Sequence, residues 1–308
     1  MRYRRLGRSA LDVSVVGLGC WALGGRGWGR VDDRESTSAV RAALKAEVNF
    51  FDTADIYGFG HSEELLGKAL KDSPETLVAT KVGLRRDESG RVVHDLSRAY
   101  IRSACDASLR RLRRDHIDVY LLHWPDPKRA VGEALETMRE LVGAGKVRYL
   151  GAANLSPEEL AEAEKIPGFI AYQGRLNALQ TEELTASLPF CRRAGVGFIA
   201  YEPLLKGILT GKYRGRPEFG RRDHRRRHDA FEGGFEAANK AAARLAEAAR
   251  VEGVEPAALA LAIALSEADT AIPGAKTAAQ VNINVGAAEI DADVMARGRA
   301  ALPGPAMR

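Results

Sequence analysis

Four side chains able to do acid–base work stand where short apolar runs end. Asp52 closes "NFFD", and Tyr57 follows five residues later in "TADIYGFG". Lys81 closes "LVATK" and His123 closes "VYLLH". Taken singly, each has an ordinary explanation: an Asp-and-Gly surface turn, a solvated lysine, a structural histidine. Together they make a proton donor. A tyrosine, with a pKa of about 10, is a weak acid at neutral pH. An adjacent ammonium stabilises its phenolate and lowers that pKa, and a carboxylate on the ammonium holds it in place. A neutral histidine can hydrogen-bond a carbonyl and orient it. The set suits protonation of an oxygen that is gaining negative charge, as in carbonyl reduction.

These residues need a scaffold that brings distant strand ends together. Strand-like runs fall at 13–18, 48–52, 77–81, 117–122, 147–152, 168–173, 196–201 and 270–272. Helical patterns fill 35–46, 62–71, 97–113, 130–144, 157–165, 181–194, 234–251, 256–267 and 278–287. Ser156-Pro157-Glu158-Glu159 is a helix start, with a capping serine, a first-turn proline and acids at the positive end of the dipole. Eight strands alternating with helices predict a parallel sheet with crossover connections, and eight is the number that closes a barrel. The expected fold is therefore α/β, a (β/α)8 TIM barrel with extra C-terminal helices, formed as one domain over 1–308. In such a barrel the working residues project from the C-terminal strand ends. Residues 4–13 read as a further N-terminal hairpin that plugs the barrel bottom. "GLGCWA" (17–22) matches the dinucleotide fingerprint of a doubly wound fold, but the four glycines of "LGGRGWGR" cannot open the helix that fingerprint needs.

Composition narrows the partners. Of 308 residues, 45% are apolar and 28% charged, enough to fill a sizeable core. Cys20, Cys105 and Cys191 are odd in number and widely spaced, which predicts neither a disulfide framework nor a metal site and favours the cytoplasm. A basic start and the apolar "VSVVGLGCWALGG" have the order of a secretory signal, but Asp12 and several glycines break the apolar region. No run approaches the roughly 18 residues of a membrane helix. The net charge of +5 centres on "RRDHRRRH" (221–228), which lacks the interleaved aromatics of a nucleic-acid surface and reads as a solvated loop.

The motifs resemble one family over about residues 2–290. "FDTADIYGFGHSEELLGKAL", "ATKVG", "LLHWPDP", "GKVRYLGAANLS", "AYEPLLKGILTGKY" and "IPGAKTAAQVNINV" are similar, in order, to landmarks of the aldo-keto reductases. The "YGFGHSEE" and "HWPDP" forms resemble the bacterial branch that includes general-stress members. The resemblance implies NADPH-dependent reduction of aldehydes or ketones, with Asp52, Tyr57, Lys81 and His123 as the catalytic tetrad and Tyr57 as general acid. It implies that NADP(H) is held by Trp21, Asp52, Asn154, Gln173, Tyr201, Leu204, Gly207, Leu209, Lys212, Gly274, Lys276, Gln280 and Asn284. Within that set, Asn154 and Gln173 meet the carboxamide, Tyr201 stacks on the nicotinamide, and Lys276 meets the 2′-phosphate. The basic 221–228 stretch falls where the family folds a loop over the cofactor, so its arginines could meet phosphates.

Trp21, Trp28 and Trp124, on loops at the mouth, would wall the substrate beside Tyr57 and His123. Departures are Ala153 and Glu202, both where serine is usual, and Leu176 in place of a tyrosine. A monomer acting on a small carbonyl compound, without nucleic acid or membrane partners, is the expectation. The alternatives are a cofactor-sensing regulatory subunit, like the relatives that associate with potassium channels, and nucleic-acid binding through the arginine loop.

Overall fold

A computed structural model describes residues 1–303; the last five residues of the expected 1–308 domain lie outside the described residues. The chain opens with β1 (Tyr3–Arg5) and β2 (Asp12–Ser14), an antiparallel hairpin. Then come β3 (Leu18–Gly19), β4 (Phe50–Asp52) and β5 (Leu77–Val82), followed by an inserted antiparallel hairpin of β6 (Leu84–Arg86) and β7 (Val92–His94). β8 (Ile117–Leu122), β9 (Val147–Ala153), β10 (Phe169–Arg175), β11 (Gly197–Tyr201) and β12 (Thr270–Ala271) complete the set. Eight of these form one parallel sheet in the order β3-β4-β5-β8-β9-β10-β11-β12.

The sheet closes on itself. Gly17 N donates to Ala271 O at 2.8 Å and Gly19 N donates to Pro273 O at 3.0 Å, joining the first barrel strand to the segment after the last. Here the two backbones approach so closely that a Cβ on Gly19 would lie 2.6 Å from Ile272 O. Glycine is what allows the seam. The result is a (β/α)8 barrel.

Two apolar layers hold it. Inside, Leu6, Leu11 and Val13 of the N-terminal hairpin pack with Phe50, Leu77, Val119, Leu121, Ile170, Ile199 and Ile272. Leu6 is 0% exposed, so the hairpin seals one end of the barrel from water. Outside, the sheet packs against α1 (Asp33–Lys45), α2 (His61–Ala69), α3 (Arg98–Leu112), α4 (Val131–Gly143), α5 (Pro157–Ala163) and α6 (Leu188–Ala194). α7 (Asp229–Glu232), α8 (Phe235–Val251), α9 (Pro256–Leu265), α10 (Ala278–Val285) and α11 (Ala292–Ala300) follow. α5 begins at the expected helix start, where Ser156 caps and Glu159 completes a capping box.

Some expected boundaries move for physical reasons. The run 13–18 splits, because Val13 joins the plug while Leu18 and Gly19 pair with β4 in the barrel. The helix expected over 181–194 begins at Leu188, since Pro189 has no N–H to donate and fits only a first turn. The β6–β7 hairpin is invisible as alternating hydrophobicity: "LRRDESGRVVH" is charged on both sides, and its pairing rests on a turn in which Gly90 N donates to Asp87 O.

Candidate active site

β4, β5 and β8 are neighbours in the sheet, so their C-terminal ends set Asp52, Lys81 and His123 side by side. Past Asp52 the chain enters a tight turn, Tyr57–Gly60, in which Gly58 and Phe59 are left-handed, and the Tyr57 ring returns to the mouth. Lys81 is 1% exposed, and its Nζ donates to Asp52 Oδ1 at 2.6 Å and Thr53 O at 2.9 Å. The third reach of the ammonium is Tyr57 OH, at 3.4 Å. The His123 and Tyr57 rings meet edge to face with centroids 5.7 Å apart. All four members of the expected tetrad are thus in one place.

Their electrostatics differ in one respect from the sequence expectation. Burial, then the negative charge of Asp52, pushes the Tyr57 hydroxyl well above its ordinary pKa, with Tyr201 and Glu202 adding to the effect. Lys81 does not win that contest because Asp52 cancels much of its field and the ring is dry. The proton stays on Tyr57 at neutral pH. Burial likewise pushes Asp52 up, against the pull of Lys81 and Gln173. His123 is driven well below its ordinary value by burial, then by Lys81 and His94, so it is neutral. Among the described residues its Nδ1 is buried without a partner, a polar atom left for something else to satisfy.

A second ring of side chains locks the first. Gln173 Nε2 donates to Asp52 Oδ2 at 2.9 Å. Asn154, left-handed at φ 59, donates through Nδ2 to His123 O at 3.0 Å and accepts from Tyr201 OH at 2.7 Å. The three residues expected to hold a nicotinamide therefore converge on the tetrad. Ala153 beside them supplies no hydroxyl.

Above this lies a charged apolar lid. Trp21 stacks on Tyr57 at 5.7 Å and meets Trp28 edge-on at 5.1 Å. Lys206, whose side chain is 3% exposed, holds its ammonium 3.8 Å over Trp21 and 2.5 Å from Glu202 Oε1. Glu202 also meets His228 at 3.0 Å and Arg175 at 3.6 Å. Burial opposes its ionisation, yet His228, Lys206 and Arg175 bring its carboxyl down to about 2. Arg221, Arg222, Arg226 and Arg227 are exposed as a solvated loop requires, but the stretch is held at two points: His224 packs on Trp21 and His228 latches onto Glu202. Sequence reasoning singled out Glu202 but missed Lys206, which only the left-handed turn at 205–207 swings inward.

Residues expected at phosphates form a third group. Lys212 Nζ lies 2.8 Å from where a Cβ on Gly207 would stand, and Gly207 itself has φ 93. Burial, then the neighbouring Arg225, lowers the Lys276 ammonium, and Arg225 and Lys276 both oppose charge on Lys212. Asp223 pairs only with Arg225, at 2.7 Å; among the described residues neither lysine has a salt bridge. Three cations against one carboxylate, beside a glycine backbone, fit a polyanion. Lys276 Nζ donates to Trp28 O at 2.5 Å and its N–H to Gln280 Oε1 at 2.8 Å, so Trp28 borders this group as well as the mouth.

The remaining expected residues are more dispersed. Asn284 is buried, and Gly274 sits at the barrel seam. Leu209 is wholly buried in the outer core and Leu204 packs partly against it. Trp124 is 39% exposed. Among the described residues no cluster of three or more His, Cys, Asp or Glu could hold a metal ion.

The model of the aldo/keto reductase family matches residues 15–302. The chain belongs to that family. The aldo-keto reductase YhdN of Bacillus subtilis is 36% identical over 215 residues, 69% of this chain and 65% of its own length. Probable aldo-keto reductase 1 of Glycine max is 33% identical over 210 residues, 68% and 61%. The chain thus spans less than two thirds of these two relatives. Among solved aldo/keto reductase folds, the glycerol dehydrogenase AKR11B4 from Gluconobacter oxydans has a TM-score of 0.86 at 32% identity, covering 97% of this chain and 94% of its own. The holo form of aldo-keto reductase AKR11C1 from Bacillus halodurans has a TM-score of 0.81 at 28% identity, covering 98% and 97%.

The Glu202 cluster gives this aldo/keto reductase a pH signature. A carboxyl at about 2 when folded, against an ordinary 4.5, adds stability that is fully present above pH 4.5 and is lost as pH falls toward 2. That stability is about 3 kcal/mol at pH 7 and shrinks by roughly 1 kcal/mol at pH 3.5. Urea unfolding of wild type and Glu202→Gln at the two pH values should show the gap between them narrowing by that amount on acidification.

Proposed function

We propose that the protein is an NADPH-dependent oxidoreductase that reduces small aldehydes or ketones to alcohols, with Tyr57 as general acid. The observation that carries this reading is the Lys81 ammonium, pinned at 2.6 Å by Asp52 and standing 3.4 Å from the Tyr57 hydroxyl. A nicotinamide bound against Tyr201, Asn154 and Gln173 would supply hydride to the carbonyl carbon. The chain's own part is the proton. Tyr57 keeps it at neutral pH and gives it to the carbonyl oxygen as negative charge grows there. The phenolate left behind faces Lys81, whose charge needs no reorganisation to stabilise it. Neutral His123 donates a hydrogen bond to the same oxygen and fixes its direction.

The preference for NADPH rests on Lys276, Arg225 and Lys212, because a 2′-phosphate adds two negative charges that an NAD(H) site need not neutralise. Trp21 and Trp28 close the site over the substrate, and Trp124 lies at its edge. In this reading the whole chain is one catalytic domain, a monomer in the cytoplasm, where the three buried free thiols stay reduced. It has neither nucleic acid nor membrane as a partner. No helix among the described residues is long and apolar enough to cross a membrane.

NADPH oxidation with a panel of aldehydes tests the central role. Tyr57→Phe should lower carbonyl-dependent turnover by about 10²–10⁴ while leaving NADPH binding intact; full turnover in the variant would remove Tyr57 from the role. Fluorescence titration of Lys276→Ala should show NADPH affinity falling by more than NADH affinity, and equal losses would take Lys276 away from the 2′-phosphate.

A further inference from the structure

Behind the Tyr57 turn lies a buried carboxyl that the proton donor does not use. Asp55 is 8% exposed, and among the described residues its Oδ1 is buried without a hydrogen-bond partner. Its Oδ2 lies 2.9 Å from the Tyr100 hydroxyl, and the same hydroxyl lies 3.0 Å from Leu84 O. A phenol has one proton. With Asp55 ionised, Tyr100 faces two acceptors and can satisfy only one of them. With Asp55 protonated, Asp55 donates to Tyr100, Tyr100 donates to Leu84 O, and both contacts become hydrogen bonds.

The surroundings favour that second state. Facing Asp55 are Glu63 from α2, Tyr100 and Arg111 from α3, and Tyr120 from β8. Glu63 accepts from Arg111 at 2.6 Å and from Thr80 at 2.6 Å, so Arg111 is already paired and Glu63 repels a second carboxylate. Among the described residues the buried Tyr120 hydroxyl has no partner. Burial, then Glu63, pushes the Asp55 carboxyl up to about 7, against the pull of Tyr100, Arg111 and the Ile56 backbone N–H.

The other end of the chain of hydrogen bonds is the β6–β7 hairpin, which Leu84 opens. Arg86 of that hairpin lies 4.4 Å over the ring of Phe59, in the Tyr57 turn. The ring of His94 hydrogen-bonds Pro125 O at 2.8 Å, two residues beyond His123. The hairpin is therefore one wall of the mouth, between the turn that carries Tyr57 and the segment that carries His123.

We propose that protonated Asp55 is a positioning residue that ties the β6–β7 hairpin to the Tyr57 turn through Tyr100, and that ionisation of Asp55 loosens this wall of the substrate site. Only the kinetic consequence rests on the carbonyl-reductase reading; the attachment itself does not. Ionisation releases the Leu84 carbonyl, because the carboxylate takes the one Tyr100 proton. The sign for stability follows. Between about pH 4 and 7 the folded chain holds a proton that the unfolded chain has lost, so stability falls across that window and stays reduced above it.

Amide exchange over residues 84–94 of the whole chain, from pH 6 to 9 and divided by intrinsic rates, tests the attachment without any turnover. Wild-type protection should fall roughly five- to tenfold through about pH 7, the factor one net hydrogen bond carries. Asp55→Asn cannot ionise and still donates to Tyr100, so it should keep the acidic value throughout. Tyr100→Phe should show the alkaline value throughout. The KM for an aldehyde should follow the same three patterns, with kcat much less affected. A flat wild-type profile, or an Asp55→Asn profile that still follows wild type, overturns the proposal. Should Asp55→Asn fail to fold, the wild-type and Tyr100→Phe profiles decide it. Absence of any carbonyl turnover would defeat the carbonyl-reductase reading alone, since the exchange profiles would still decide the attachment.

Discussion

A lysine ammonium withdrawn from water must find a counter-charge, and at 1% exposure Lys81 has little other recourse than Asp52. The rest of the site is arranged around meeting that need. β4 and β5 must be adjacent and in register for the pair to form, and β8 must follow for His123 to share the mouth. Asp52 has a second oxygen to satisfy, and Gln173 reaches across from β10 to do so. The N-terminal hairpin makes the constraint severe: with Leu6, Leu11 and Val13 filling the opposite end, little water reaches the pair from below. A dry pair is what gives the ammonium its value beside Tyr57, because charge acts more strongly where solvent does not screen it.

The mouth divides its charges into two regions with opposite tasks. Around Glu202, an acid is surrounded by Lys206, His228 and Arg175, which fastens the basic segment after β11 to the barrel. Around Gly207, cations outnumber Asp223 and oppose one another. In the first region the carboxylate is matched by cations of the protein itself; in the second, among the described residues, Lys212 and Lys276 have no carboxylate partner. Between them Trp21 carries Lys206 on one side and stacks with Tyr57, linking the fastening to the tetrad.

Much of this was legible in the residues. Strand ends are visible as apolar runs that stop at a polar side chain, and Asp52, Lys81 and His123 each mark such a stop. A capping serine and a proline at a helix start act locally, so α5 was readable with its cap. What was not legible depends on contacts between segments far apart. Lys206 looks like a surface lysine until a left-handed turn folds it over Trp21. The opposition of Asp52 and burial to Lys81 at the Tyr57 hydroxyl needs the dryness of the assembled site. The β6–β7 hairpin carries no hydrophobic alternation and is held by one turn and its neighbours.

The claim that Asp52 matters through Lys81, and not by touching substrate, is tested most directly by a double-mutant cycle on single-turnover NADPH oxidation with one aldehyde. Asp52→Asn, Lys81→Met and the double variant would be compared with wild type. If Asp52 acts only by holding the ammonium, the double variant should be no slower than Lys81→Met by more than a fewfold, since the residue it positions is already gone. A double variant slowed by the product of the two single losses would contradict the account.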